Sequence, residues 1–521
     1  MPMEKNSFSK KLPKEAFLSL KDLIEAGCPH SGLSILALSY PWLTPEHPDP
    51  DGANLCRVAK ALEALINDED EEILRFGVFW DYLSLHQHPD PANGIMRTEA
   101  ENALFKKGLG YLGTLYSHQH TTVLRLTSFP EGHRKEDQRE GANVAEYFDR
   151  GWCFTENALS SLSKGSGKSL DLGKMTGGAI EHGSWGILEG GTRLALVTEC
   201  VTGGGRRPPL LPSRFAAELE TKSFTNGKDD KPLVKGLYEG AFKEQFGNAT
   251  ELRYMRLGWG EEEAAQVAEV IASGATPLLE ELDLAGNQIG DDGLKALAAA
   301  LGREGSAPRL QELDLTSNQI GDDGLMSLAA ALSNDGVVPR LANLILDGNR
   351  FGNEGLKALV SALSRESGAS QLQRLEFCSN EIGDEGLKAL AAAFGGKGCI
   401  PRLTELDLRD NQIGVEGFKA LASALRQEGA FPSLKARAFQ PHHFSVRARH
   451  LPFSPSWRVS QILYVDHKPW KLWFVCKRRG IILWRDGGLF AKATAKAGEW
   501  AEDAINRIGK ARRVCRLVGS C

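Results

Sequence analysis

Five asparagines, Asn287, Asn318, Asn349, Asn380 and Asn411, stand 31 residues apart without a slip. Around them run LEELDLAGNQIG, LQELDLTSNQIG, LANLILDGNRFG, LQRLEFCSNEIG and LTELDLRDNQIG. A constant period makes each copy one structural unit of fixed length. Leu282-Asp283-Leu284 alternates as a short strand does, leucines inward and aspartate outward. Leu294, Leu297, Ala298 and Leu301 then fall at i, i+3, i+4 and i+7, one apolar face of a helix. Each asparagine sits where the chain leaves the strand, so its amide can pair turn groups that no ladder satisfies. A single strand–helix unit cannot bury its own apolar face, so the units must stack into a curved solenoid.

The pattern L-x-x-L-x-L-x-x-N, with its I-G and G-L-K-A-L continuation, resembles leucine-rich repeats of the ribonuclease-inhibitor type. Solenoid surfaces bind partners more often than they perform chemistry. The outward strand positions include Glu281, Asp283, Glu312, Asp314, Asp347, Glu376, Glu405 and Asp407, against two arginines, Arg374 and Arg409. That face reads either as a solvated surface or as a site for a basic protein partner. Leu252, Met255 and Leu257 repeat the leucine spacing, with Gly260 at the asparagine position, which predicts a worn capping repeat. Beyond Asn411 the pattern fails, since His442 stands at the next asparagine position.

A length of 521 residues allows two to four domains. The net charge of −5 hides a split: residues 441–521 carry +11, leaving −16 for the rest. Lys477-Arg478-Arg479 and Arg512-Arg513 invite a nucleic-acid or anionic-lipid reading that no motif supports, so the tail is expected to be a poorly ordered extension. Nine cysteines occur singly, without metal-ligand spacing, which suits a reducing cytosol. The N-terminus has no apolar run of signal-peptide length, and no 18-residue apolar stretch occurs. A soluble cytoplasmic protein without a membrane span or metal is expected.

Toward the N-terminus, Leu33–Ser39, Phe76–Trp80 and Thr121–Leu126 read as buried strands. Helical stretches lie between them, at Leu55–Ile66 and about Glu99–Tyr116, and another follows in GWCFTENALSSL. Alternating strands and helices predict a parallel α/β sheet. Ile187–Val201 has strand-like runs, and residues 215–242 read as helices. Gly167-Lys168-Ser169 is not a phosphate loop: Leu162 occupies the required glycine position and a helix precedes it. Ser184 lacks the spacing of a nucleophile elbow.

Four blocks, ILALSYPWL, FWDYLSLHQ, LGTLYSHQHTTVLRL and YFDRGWCFTE, resemble in order those of the fungal heterokaryon-incompatibility (HET) domain. Leu43, Ser84-Leu85-His86-Gln87 and Thr155 depart from its pattern. HET domains look like distant relatives of Toll/interleukin-1 receptor (TIR) domains, and Trp152-Cys153-Phe154-Thr155-Glu156 resembles the TIR W-C-x-x-E segment. The resemblance implies a flavodoxin-like fold, with Glu156 standing where NAD-cleaving members hold their catalytic carboxylate. Ser39, Tyr40 and Trp42 after the first strand, and Asp81 after the second, would gather at the carboxyl edge of the sheet, as cofactor-binding residues for NAD. The expected organisation is a polar leader (1–14), a HET/TIR-like domain (15–240), a repeat solenoid (241–440) and the basic tail (441–521). Two functions follow. One is an immune-type sensor signalling by self-association or NAD cleavage; the other is a non-enzymatic scaffold, including a GTPase-activating regulator.

Overall fold

In the computed structural model the described residues run from 33 to 424, with gaps chiefly at 67–74, 88–93, 139–142, 176–190, 202–205, 366–370 and 395–401. Residues 435–436 and strand segments between 461 and 491 complete them. The chain divides into two compact units, Met1–Asn287 and Gln288–Cys521.

The first unit is built on a parallel sheet of β1 (Leu33–Ser39), β2 (Arg75–Phe79), β3 (Thr121–Arg125) and β4 (Ser169–Asp171), in the order β2-β1-β3-β4. The strand with the unbroken apolar run, LSILALS, is the one flanked on both sides: Leu36 pairs with Val78 and with Thr122. Its Leu36, Ala37 and Leu38 are buried. Helix α1 (Ala53–Ile66) links β1 to β2, and a one-turn helix α2 (Asp81–Ser84) follows β2. The stretch expected as one helix to Tyr116 is two, α3 (Glu99–Gly110) and α4 (Leu112–Ser117). They part at Tyr111, whose N–H turns back to the Gly108 carbonyl, where the helix-weakening glycines cluster. After β3 comes α5 (Gly151–Ser160) and then β4, three residues too short to show a period.

The strand-like run at Ile187–Val201 is in fact helical from Gly191 to Val201, here α6. A short apolar run does not by itself distinguish strand from buried helix, and its buried Leu196 and Cys200 stand four apart. Helix α7 (Pro212–Glu220) and the 22-residue α8 (Gly227–Asn248) close the domain. α8 packs on α4, α5 and α7. A run of stacked rings, Phe154, Phe215 and Tyr238, with centroid spacings of 5.3 and 3.9 Å, ties α5, α7 and α8 together. The domain border expected at residue 240 therefore falls inside a packed helix.

Directly after α8, β5 (Glu251–Arg253) pairs in parallel with β6 (Glu281–Asp283), Glu251 opposite Glu281. This is the worn repeat, but its register differs from the expected one. Tyr254, not Met255, fills the inner leucine place, and Leu257, not Gly260, stands where Asn287 stands one repeat later. Gly260 instead opens helix α9 (Glu261–Ala272), its N–H held by Glu263. The backbone agrees: Arg256 and Gly286, each just before that place, have φ of 56° and 71°. The Tyr254 hydroxyl donates to the Leu162 carbonyl, and Trp259 Nε1 donates to the Arg206 carbonyl at 2.8 Å.

In the second unit five strands, β7 (Glu312–Asp314), β8 (Asn343–Ile345), β9 (Arg374–Glu376), β10 (Glu405–Asp407) and β11 (Lys435–Ala436), pair in parallel in chain order. Helices α10 (Gly290–Leu301), α11 (Asp322–Leu332), α12 (Asn353–Leu363), α13 (Asp384–Phe394) and α14 (Val415–Ala424) alternate with them. The asparagines do what their position requires. Asn349 accepts the N–H groups of Asn318 and Ile320, each at 3.0 Å, and donates to the carbonyls of Leu315 and Leu346. Ser317, Gly348, Ser379 and Asp410, each just before an asparagine, hold positive φ.

A second ladder explains the I-G-x-x-G segment. Asp322 Oδ1 accepts the N–H of Gly352 at 2.7 Å and of Gly355 at 2.8 Å, both in the following repeat. Asp291, Asn353 and Asp384 make the equivalent pairs of bonds to Gly321 and Gly324, Gly383 and Gly386, and Gly414 and Gly417. A Cβ on Gly355 would lie 2.7 Å from Asp322 Oδ1, so the carboxylate and the missing side chain require each other. Farther on, β12 (Gln461–His467), β13 (Trp470–Lys477), β14 (Gly480–Arg485) and β15 (Gly488–Ala491) form an antiparallel meander within the stretch expected as a poorly ordered tail.

The ladder makes a testable demand. Asp322→Ala leaves two backbone donors unfilled and should cost about 1–3 kcal/mol. Gly355→Ala should destabilise the wild type but cost less beside Asp322→Ala, which removes the 2.7 Å contact with Oδ1 and leaves those with Cα of residue 322 at 3.1 Å and Leu325 Cβ at 3.3 Å. A double-mutant cycle in urea should show coupling of about 1 kcal/mol or more; additive losses would contradict the ladder.

Candidate functional site

Strand β1 ends at Ser39, and the chain continues through Tyr40 and Trp42 along the carboxyl edge of the sheet. Strand β2 delivers Asp81 at the start of α2. Glu156 comes from α5, whose first residue, Gly151, lies directly under the Phe224 ring: a Cβ there would come within 1.9 Å of it and force the ring to move. Thr155 turns its hydroxyl back to the Gly151 carbonyl and supports the same turn. Arg150, buried just before it, donates to the carbonyls of Trp42, Ala145 and Asn143, so the loop that carries Trp42 is fastened to the start of α5.

The five residues picked from sequence as a candidate site, Ser39, Tyr40, Trp42, Asp81 and Glu156, lie together. Ser39 Oγ donates to Glu156 Oε2 at 2.6 Å and lies 2.6 Å from the Tyr147 hydroxyl. A serine has one proton, so with that proton on Glu156 the phenol must donate to Ser39. Asp81 is held by three donors: the Tyr40 hydroxyl at 2.5 Å, the Tyr82 N–H at 2.6 Å and Trp42 Nε1 at 3.4 Å. Trp80 donates to Tyr40, and the Tyr82 ring meets Trp42 edge-on at 5.6 Å. Two neighbouring carboxyl groups therefore lie among aromatic side chains with unequal support.

Their acidities follow. Burial pushes the Glu156 carboxyl well up, the Asp81 charge adds to this, and the hydrogen bond from Ser39 offsets only part, while the nearby Tyr116 hydroxyl donates to the Leu38 carbonyl. Burial also raises Asp81, while Tyr40, the Tyr82 N–H and Trp42 pull it back. Tyr116, Tyr147 and Cys153 are all driven upward by burial, which holds the Cys153 thiol toward its neutral form. Trp152 donates to Asp230 on α8, a strut between helices. Tyr147, Tyr116, Trp80 and Tyr82 are not among the candidates read from sequence; all four lie inside the quoted blocks, where only their aromatic character could have marked them.

The outward acids of the repeats are largely engaged. Asp283, Asp314 and Asp407 each accept the N–H two residues on, and Asp407 also takes both arms of Arg409. Asp347 accepts the Cys378 N–H at 2.7 Å. Glu281 pairs with Arg253, Glu405 and Glu376 with Arg374, and Glu312 accepts from Asn343. Burial, followed by the charges of Glu376 and Asp407, pushes Asp347 up to about 6. Among the described residues no group of three or more His, Cys, Asp or Glu could hold a metal ion, and no helix is long and apolar enough to cross a membrane.

Residues 277–298, 308–329, 370–391 and 401–422 match the family model described as Leucine Rich repeat. Residues 277–422 are therefore a leucine-rich-repeat region, and the copy around Asn349, outside the matched stretches, folds as the others do through β8 and α12. No curated protein matches the chain.

The Glu156 environment predicts a pH effect. Its folded pKa lies above the reference 4.5, so its contribution is whole below that value and shrinks as pH rises toward the folded pKa. The unfolded chain releases a proton that the fold must retain. Thermal melts from about pH 4 to about pH 8 should show the wild type losing ground to Glu156→Gln as pH rises; a constant gap would contradict the assigned environment.

Proposed function

We propose that this chain is a recognition and signalling protein: its repeats take a protein partner, and its N-terminal HET/TIR-like domain signals by self-association or by cleaving NAD. The observation that carries the reading is the meeting of Asp81 and Glu156 beside Ser39, Tyr40 and Trp42, at the carboxyl edge where open parallel sheets take ligands. The rings of Trp42 and Tyr82, beside an Asp81 carboxylate that accepts from Trp42 Nε1 and from the Tyr82 backbone N–H, suit a flat cationic ring such as nicotinamide. Cleavage of the nicotinamide–ribose bond passes through an oxocarbenium-like state, and an ionised Glu156 would oppose that charge. Since burial favours the protonated form, turnover through this carboxylate increases with pH.

On the repeats, the acids bonded to their own backbone or to arginine are structural first. Asp347 and Glu376, less well compensated, are the centre offered to a basic protein segment. The four described cysteines are unpaired, in keeping with a cytoplasmic setting. A second reading, a non-enzymatic repeat scaffold or GTPase-activating regulator, is favoured by the family match, which falls on the repeats alone.

The deciding experiment is to incubate the purified full chain with NAD and follow nicotinamide. Glu156→Gln should fold and lower turnover about 100-fold, the scale of a lost electrostatic stabiliser. Trp42→Ala should raise KM instead. A folded wild type that releases no nicotinamide removes the enzymatic half and leaves the scaffold.

A further inference from the structure

Helix α3, EAENALFKKGLG, begins with a capping box between Thr98 and Glu101 and contains no buried residue. Its inner face is partly covered: Phe105 lies under the Arg97 guanidinium at 3.6 Å, and Gly108 is pressed so closely on Leu85 that a Cβ would come within 2.7 Å of it. The other face is a stripe of exposed residues, Ala100, Ala103, Leu104, Lys107 and Tyr111, spaced as one helical side. Leu104 is 56% exposed and Tyr111 62%, and Ile95 and Met96, just before the helix, are 54% each. Apolar side chains gathered at one place on a surface mark an interaction site.

The charges state which partner fits. Glu99 stands in the first turn and Lys106 and Lys107 near the end, and among the described residues no ion pair engages these three. A two-fold axis through the middle of the helix sets Glu99 of one copy against the lysines of the other, lays Ala103 against Leu104, and brings Met96 toward Tyr111. A parallel arrangement would place like charges together. We infer that the exposed stripe of α3 is an isologous, antiparallel contact between two copies of this chain. This deepens the self-association part of the function proposed above, and its test does not depend on NAD cleavage.

Sedimentation of the full chain over about 1–100 µM should show a monomer–dimer equilibrium that weakens with salt. Leu104→Glu, at an exposed position, should weaken it about tenfold or more. Glu99→Lys and Lys107→Glu should each weaken it several-fold alone, because each homodimer then opposes like charges twice. Mixed in equal amounts, the two variants should recover a heterodimer with two opposite-charge pairs. A wild type that stays monomeric, a dimer indifferent to Leu104→Glu, or a mixture no tighter than its components overturns the inference. A monomer that dimerises only after deletion of residues 1–32 also overturns it, by assigning the stripe to the chain's own N-terminus.

Discussion

The fold of the repeats depends on side chains that satisfy backbone groups one unit away. Where a short strand turns into a helix, N–H and carbonyl groups leave the sheet and have no ladder to join. Asn349 answers this on the strand side and Asp322 at the helix entry, both by reaching into a neighbouring repeat. The leucine layers give the free energy of stacking, but they tolerate sliding. The carboxamide and carboxylate ladders do not, because each needs its partner at one particular offset. A constant period with paired glycines is the trace of that requirement in the chain.

The carboxyl edge of the N-terminal sheet shows the opposite use of polar groups. Asp81 receives three donors and lies beside aromatic rings, whereas Glu156 has weaker support and an acidic neighbour. Burial raises both carboxyls, Glu156 farther than Asp81, so two similar neighbouring side chains are set apart in acidity. Separating the acidities of neighbouring carboxyl groups is how a site obtains a proton donor and an anion at the same pH.

Legibility followed periodicity. The repeats, β1 and the helices with a clear apolar face could be read directly, because each has a pattern longer than its own noise. β4 has three residues and no pattern, and α6 is an apolar run that either geometry would bury. The worn repeat misled because Tyr254 replaced an inner leucine and its unit is one residue shorter. Ser39, Tyr40, Trp42, Asp81 and Glu156 could be brought to one edge by topology alone, since strand ends in a parallel sheet share a side. The engagement of Asp283, Asp314 and Asp407 by their own turns, and the aromatic lining from Tyr147 and Tyr82, required side-chain reach that spacing does not encode.

The bonds from Tyr254 to Leu162 and from Trp259 to Arg206 have a consequence for modularity. Both side chains are fully enclosed, and both carbonyls belong to the loops that close the α/β domain. A fragment ended at residue 240 would lose the last turns of α8 and expose the surface that this first repeat covers. The natural cut lies after a strand–helix unit has been spent as a wall of the neighbouring domain. Anyone moving the α/β domain onto another protein must carry that wall with it.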